Sequence, residues 1–132
     1  MSPLRCRAAL LAAGLALMVV GTVWADTPWT APDLAKSKKN PIAANSKVAV
    51  QGKKLAQTNC ASCHGTTGTG NGPAAVALNP KPADWTSKKT QEATDGEIYW
   101  KITTGRGSMP SWKHLPETDR WAIVQYIRTL RK

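Results

Sequence analysis

Phenylalanine is absent from this 132-residue chain and tyrosine occurs twice, so six tryptophans supply most of its aromatic mass. Acidic residues are scarce as well, with eight Asp and Glu against eighteen Lys and Arg and a formal net charge of +10. No segment alternates apolar and polar residues with the period of two that a half-buried strand shows. Sheet architectures are thereby excluded and an all-α chain is left. Cysteine is sparse too: Cys6 stands apart, and Cys60 and Cys63 form the one close pair. A second C-x-x-C, needed for a structural zinc site of two cysteine pairs, is missing. A strand leading into the pair, the setting of a thioredoxin-type redox motif, is missing as well. No recognisable nucleic-acid motif accompanies the basic charge, which argues against nucleic acid as the partner.

The first residues read as a targeting segment. Arg5 and Arg7 make a positive start, an uncharged apolar run follows from Ala8 to Trp24, and Val23-Trp24-Ala25 offers a cleavage point. This is the layout of a secretory signal peptide over residues 1–25. The run falls short of the roughly 18 to 20 residues of a spanning helix, so cleavage is favoured over a retained membrane anchor, and the expected location is periplasmic. Cleavage removes Cys6, Met1 and Met18 and leaves about 107 residues, the size of one small domain. Sixteen Lys and Arg then face eight Asp and Glu, a field that attracts acidic partners in a salt-dependent way or simply keeps the protein soluble. Residues 26–45, with Pro28, Pro32, Pro41 and a lysine cluster, read as an extended, solvated linker or arm with Trp29 as a possible tether.

The domain proper is expected over residues 46–132. A helix capped by Asn45 or Ser46 places Val48, Gly52, Leu55, Ala56 and Cys60 on one face. Gly52 costs about 1 kcal/mol against Ala in a helix, which a close helix crossing would explain. Gly65 to Ser87 reads mostly as loop, with one helical turn through Ala74 to Leu78. Thr94-Asp95-Gly96-Glu97 is a capping box in front of a second helix that ends at Gly105. The last helix takes Pro116 at its first position and carries an apolar stripe of Trp121, Val124, Ile127 and Leu130, with Ile123 at the margin. So small a domain has a thin apolar core, and a buried cofactor would add hydrophobic mass.

Cys60-Ala61-Ser62-Cys63-His64 carries the chemistry. A C-x-x-C-H run reads as a covalent haem attachment site, with two thiols one helical turn apart for the two vinyl groups and the histidine as a proximal iron ligand. Zinc held by Cys60, Cys63, His64 and His114 is the competing use, but adjacent Cys63 and His64 reach one tetrahedral centre with difficulty. Met109 is the only methionine left after cleavage and sits in Gly105-Arg106-Gly107-Ser108-Met109-Pro110. Flanking glycines let the backbone approach a flat cofactor, and the thioether is the candidate sixth ligand; His114 is the alternative. Trp85, Tyr99, Trp100 and Trp112 are candidates to wall the haem, and Arg106 to pair with a propionate.

These blocks, in this order, resemble a class I monohaem cytochrome c from about Ser46 to Leu130. The segments His64-Gly65 through Asn71-Gly72-Pro73 and Pro80-Lys81-Pro82-Ala83-Asp84-Trp85 are similar to bacterial members of that family. The resemblance implies a small cytochrome c-like fold, with three main helices and long loops around one covalent haem c. It implies thioether bonds at Cys60 and Cys63, and His64 and Met109 as axial ligands. It also implies that Gly52 packs on the last helix near Trp121 or Tyr126, and that a backbone carbonyl holds the proximal imidazole, with Pro73 the candidate. Leu55 stands where the family often has an aromatic, and Leu115-Pro116 replaces the usual Ser or Thr cap. The function expected is a periplasmic one-electron carrier, not an enzyme, exchanging electrons with redox proteins that offer acidic docking surfaces. The alternatives are a dedicated subunit of a membrane-bound redox complex docked by the arm, and a haem protein in which Met109 leaves the iron for peroxidase or gas-sensing chemistry.

Overall fold

The computed structural model describes residues 28–132, so the signal-peptide and cleavage expectations lie outside the described residues. In chain order the helices are α1 (Asp33–Lys36), α2 (Ser46–Asn59), α3 (Ala61–His64), a 3-10 turn (Pro73–Ala77), α4 (Lys88–Glu92), α5 (Asp95–Thr104) and α6 (Glu117–Thr129). Among the described residues the only β pairing is an isolated bridge between Arg106 and Met109, and no helix is long and apolar enough to cross a membrane. The fold is all-α, with α2, α5 and α6 as its long helices.

Local chemistry sets the helix ends. Asn45 caps α2 by accepting the Val48 N–H at 3.0 Å, and Thr94 caps α5 by accepting the Glu97 N–H at 3.1 Å. α5 ends at Gly105. Pro116 stands at the N-cap of α6, one residue earlier than expected, with Glu117 opening the helix. Helix α4 is absent from the sequence reading: Ser87 accepts the Thr90 N–H at 3.3 Å and starts a helix of five residues, too short to show an apolar period.

The two helices that organise the core are α2 and α6. A Cβ on Gly52 would collide with the backbone carbonyl of Ala122, so α2 and α6 cross in backbone contact, beside the expected Trp121. α6 is buried continuously from Arg120 to Ile127, not along a single stripe. Ile123 is fully buried rather than marginal, and Leu130 stays half-exposed. The reason is the segment 28–45, which is not a free arm over its described part. Asn40 Nδ2 donates to the Trp121 carbonyl at 3.2 Å, and Gln125 Nε2 donates to the Ile42 carbonyl at 2.7 Å. Ala31 is buried, and Trp29 meets Trp100 with ring centroids 6.3 Å apart. This segment covers the face of α5 and α6 that the other helices leave open.

Candidate functional site

Cys60 follows directly on α2, and the single turn of α3 joins it to Cys63 and His64. The chain order thus makes the helix that crosses α6 in backbone contact end at the attachment motif. Both thiols are free and half-buried. Burial, and then the neighbouring Cys63, push the Cys60 thiol up to about 11, so that thiol is uncharged at neutral pH. The loop after His64 folds back on the turn: Gly70 N–H donates to the His64 carbonyl at 2.9 Å and Gly72 N–H to the Cys63 carbonyl at 3.0 Å. Gly68, with φ of 75°, offers its carbonyl to the Trp85 N–H at 2.7 Å, and a Cβ there would strike the Trp85 ring.

His64 is 8 % exposed, and its Nδ1 lies 3.0 Å from the Ala83 carbonyl oxygen. A carbonyl can only accept, so the proton sits on Nδ1 and the lone pair on Nε2. The anchoring carbonyl is therefore that of Ala83, not of Pro73. Pro73 begins the 3-10 turn instead, at the rim of α3. Burial lowers the imidazole's pKa below its ordinary value, against the opposing pull of the Ala83 carbonyl, which keeps the ring neutral. The Trp85 indole stacks on it, with centroids 4.5 Å apart and planes 22° apart.

Met109 lies in the loop between α5 and α6 and is half-buried. Its backbone pairs with Arg106, N–H to carbonyl in both directions, at 2.8 and 3.0 Å. Cys60 and Met109 both pack against the core cluster that contains Trp85, which brings the two halves of the expected site to one apolar body. His114 is exposed and leans on Trp112, with centroids 5.5 Å apart. Among the described residues no three His, Cys, Asp or Glu gather as a metal site, so the zinc arrangement is not assembled.

Of the aromatic candidates, Trp85 alone of the four stacks on His64; Tyr99 stacks on Trp121 with centroids 3.9 Å apart, Trp100 meets Trp29, and Trp112 flanks the core. The sequence reading missed Ala83 and Gln91. A backbone carbonyl carries no sequence signal, and a glutamine in a short polar helix looks solvated.

The donor set fits a covalent haem: two free thiols one turn apart, a buried neutral imidazole with a free Nε2, and an apolar surround with a thioether at its edge. The sequence profile of the family described as Cytochrome C oxidase, cbb3-type, subunit III matches residues 47–127. No curated protein sequence gives a significant match. Among solved structures, a protein of the Kuenenia stuttgartiensis reducing HAO-like protein complex Kustc0457/Kustc0458 is similar at 30 % identity with a TM-score of 0.63. The alignment covers 70 % of this chain and 47 % of that one, so the chain spans about half its length. A second structure, the KustC0563 c-type cytochrome, shares the fold, with a TM-score of 0.53 at 24 % identity, covering 61 % of this chain and 98 % of that one. With the family profile spanning more than half of the sequence and enclosing the C-x-x-C-H turn, the chain belongs to the cbb3-type cytochrome c oxidase subunit III family, a monohaem c-type cytochrome domain with covalently bound haem c and a role in electron transfer.

Proposed function

We propose that this protein is an exported, periplasmic one-electron carrier in which Cys60 and Cys63 form the thioether bonds and His64 and Met109 are the axial ligands. The observation that carries the reading is the commitment of His64: its Nδ1–H is taken by the Ala83 carbonyl, which leaves Nε2 as the ligating atom on the turn that bears both thiols. Bound haem c supplies a ferric–ferrous couple. Ala83 fixes the tautomer of the imidazole and raises its basicity. Met109 contributes a soft, uncharged donor, and Pro110 stiffens the loop that presents it. Transfer of an electron breaks no substrate bond, so the reading is of a carrier and not of an enzyme. The excess of sixteen Lys and Arg over eight Asp and Glu after residue 25 suits redox partners with acidic docking surfaces.

Ferric protein at neutral pH is expected to show the weak near-red band of Met-to-iron charge transfer. Met109→Ala should retain the haem, lose that band and lower the midpoint potential. A band that survives the substitution sinks the Met109 assignment, and an unchanged potential points to His114.

A second reading, a fixed subunit of a larger redox assembly, is supported by the oxidase subunit that names the family profile and by the complex that contains the similar Kuenenia stuttgartiensis protein. Co-purification with a stable partner favours it; a soluble monomer after export favours the free carrier.

A further inference from the structure

Gln91 is 6 % exposed, one residue before the end of the short helix α4. Its side-chain nitrogen donates to two backbone carbonyls on different elements, Trp85 at 2.7 Å and Ile127 of α6 at 2.8 Å. The Ile127 oxygen also receives the Leu130 N–H at 3.1 Å, so what the amide adds is a tie between α6 and the backbone of Trp85. Gln91 is itself fixed to α6 and the residues just after it: Arg128 and Arg131 donate to its main-chain carbonyl at 3.1 and 2.9 Å.

The other half of the amide is unpaired. Gln91 Oε1 is buried without a hydrogen-bond partner among the described residues. An unsatisfied buried acceptor is unfavourable, and a methionine of similar shape would avoid it. An amide kept at that disadvantage points to its donor half as the useful one.

The span from Ala83 to Trp85 meets the imidazole twice. The Ala83 carbonyl takes Nδ1–H, and the Trp85 ring covers a face of the His64 ring. We propose that Gln91 is a positioning residue for His64, locking the span 83–85 to α6 so that the Ala83 carbonyl stays aligned with Nδ1; this rests on His64 being the iron ligand. Loss of the tie weakens the Ala83 bond, and a less basic imidazole stabilises the ferric state less. The direction is therefore fixed: the potential rises.

The test compares haem-loaded wild type with Gln91→Met and Gln91→Asn, using redox titration and proton NMR of the ferric protein. In wild type, hyperfine-shifted His64 ring signals must be present; their absence overturns the ligand reading and the inference with it. With them present, Gln91→Met is expected to raise the midpoint potential and to speed solvent exchange of the His64 Nδ1–H by about tenfold, the factor expected when roughly one hydrogen bond is lost. Gln91→Asn, one methylene shorter, should shift both in the same direction and keeps the test open if the methionine variant does not fold. Glu97→Gln is the control. It removes the charge that Lys101 meets at 2.6 Å on α5 without touching Gln91, Arg128 or Trp85, and should lower thermal stability while leaving potential and exchange unchanged. Gln91 variants that lose stability with wild-type potential and exchange, or whose potential falls, reduce the residue to a structural tie and overturn the proposal.

Discussion

Gly52→Ala sets two effects of opposite sign against each other at the α2–α6 crossing. In an open helix the change is favourable, because Gly is worse than Ala by about 1 kcal/mol. Here the new methyl carbon meets the carbonyl oxygen and carbon of Ala122 and comes within 3.1 Å of the Ile123 nitrogen. These are backbone atoms of a helix whose Ile123 and Val124 are 1 % and 0 % exposed. They cannot swing aside as a side-chain tip can, so the whole of α6 must shift. Overpacking of this kind costs about 1–3 kcal/mol, and backbone against backbone belongs at the upper end. The propensity gain offsets only part of that, leaving a net loss of about 2 kcal/mol. For a domain of this size each kcal/mol moves the melting temperature by about 4–8 °C, so thermal unfolding of the haem-loaded variant, followed by circular dichroism, should fall by roughly 10 °C. A melting temperature equal to or above wild type would refute the crossing geometry. It would also loosen the argument that α2 delivers Cys60 to a fixed place.

Two further expectations bear on the cofactor and on partners. Replacing Cys60 and Cys63 together with alanine should give a protein whose mass lacks one haem and that does not stain for haem on a denaturing gel; stain that survives denaturation contradicts attachment at these thiols. If the basic surface steers association, electron-transfer rates with a carboxylate-rich redox protein should fall as ionic strength rises from about 0.01 to about 0.15 M, because the Debye length shortens from about 30 to about 8 Å. Rates independent of salt would reduce the excess of basic residues to a solubility device.

The parts of the fold legible in the sequence are those written in side chains with a local rule. Asn45 and Thr94 cap as expected, because a short polar side chain satisfies an adjacent orphan N–H without help from the rest of the fold. Gly52 announced the crossing because glycine inside a helix needs a reason. Contacts that depend on tertiary closure were not legible. The docking of residues 28–45 rests on Asn40 and Gln125 meeting backbone carbonyls 81 and 83 residues away, and a polar, proline-rich composition does not encode that. The carbonyl for His64 was misassigned to Pro73 for the same cause: every residue has a carbonyl, and which one arrives is decided by how the 65–83 loop closes. The C-x-x-C-H turn, by contrast, needs only one helical turn to bring two thiols and an imidazole together, so it could be read directly.

The proposed ligands are held by unequal means, and this bears on the choice between carrier and catalyst. His64 is fixed by side-chain burial, a ring stack and the Ala83 bond. Met109 sits in a backbone turn and owes its place to the loop's ends. Those ends do a second job. A helix leaves its last four carbonyls without intrahelical donors, and at the end of α5 the residues that follow Thr104 supply donors to three carbonyls of its last turn. Gly105 N–H donates to the Lys101 carbonyl at 3.0 Å, Trp112 N–H to the Ile102 carbonyl at 3.1 Å, and the Ser111 hydroxyl to the Thr103 carbonyl at 2.7 Å. Swinging the whole loop away would give up bonds worth about 1 kcal/mol each and reopen the end of α5. Release of Met109 for peroxide or a gas would have to come from the short turn between Arg106 and Met109 alone, against packing on the core. The loop that offers the thioether is thus also the cap of a core helix, an arrangement that suits a ligand meant to stay on the iron through both oxidation states.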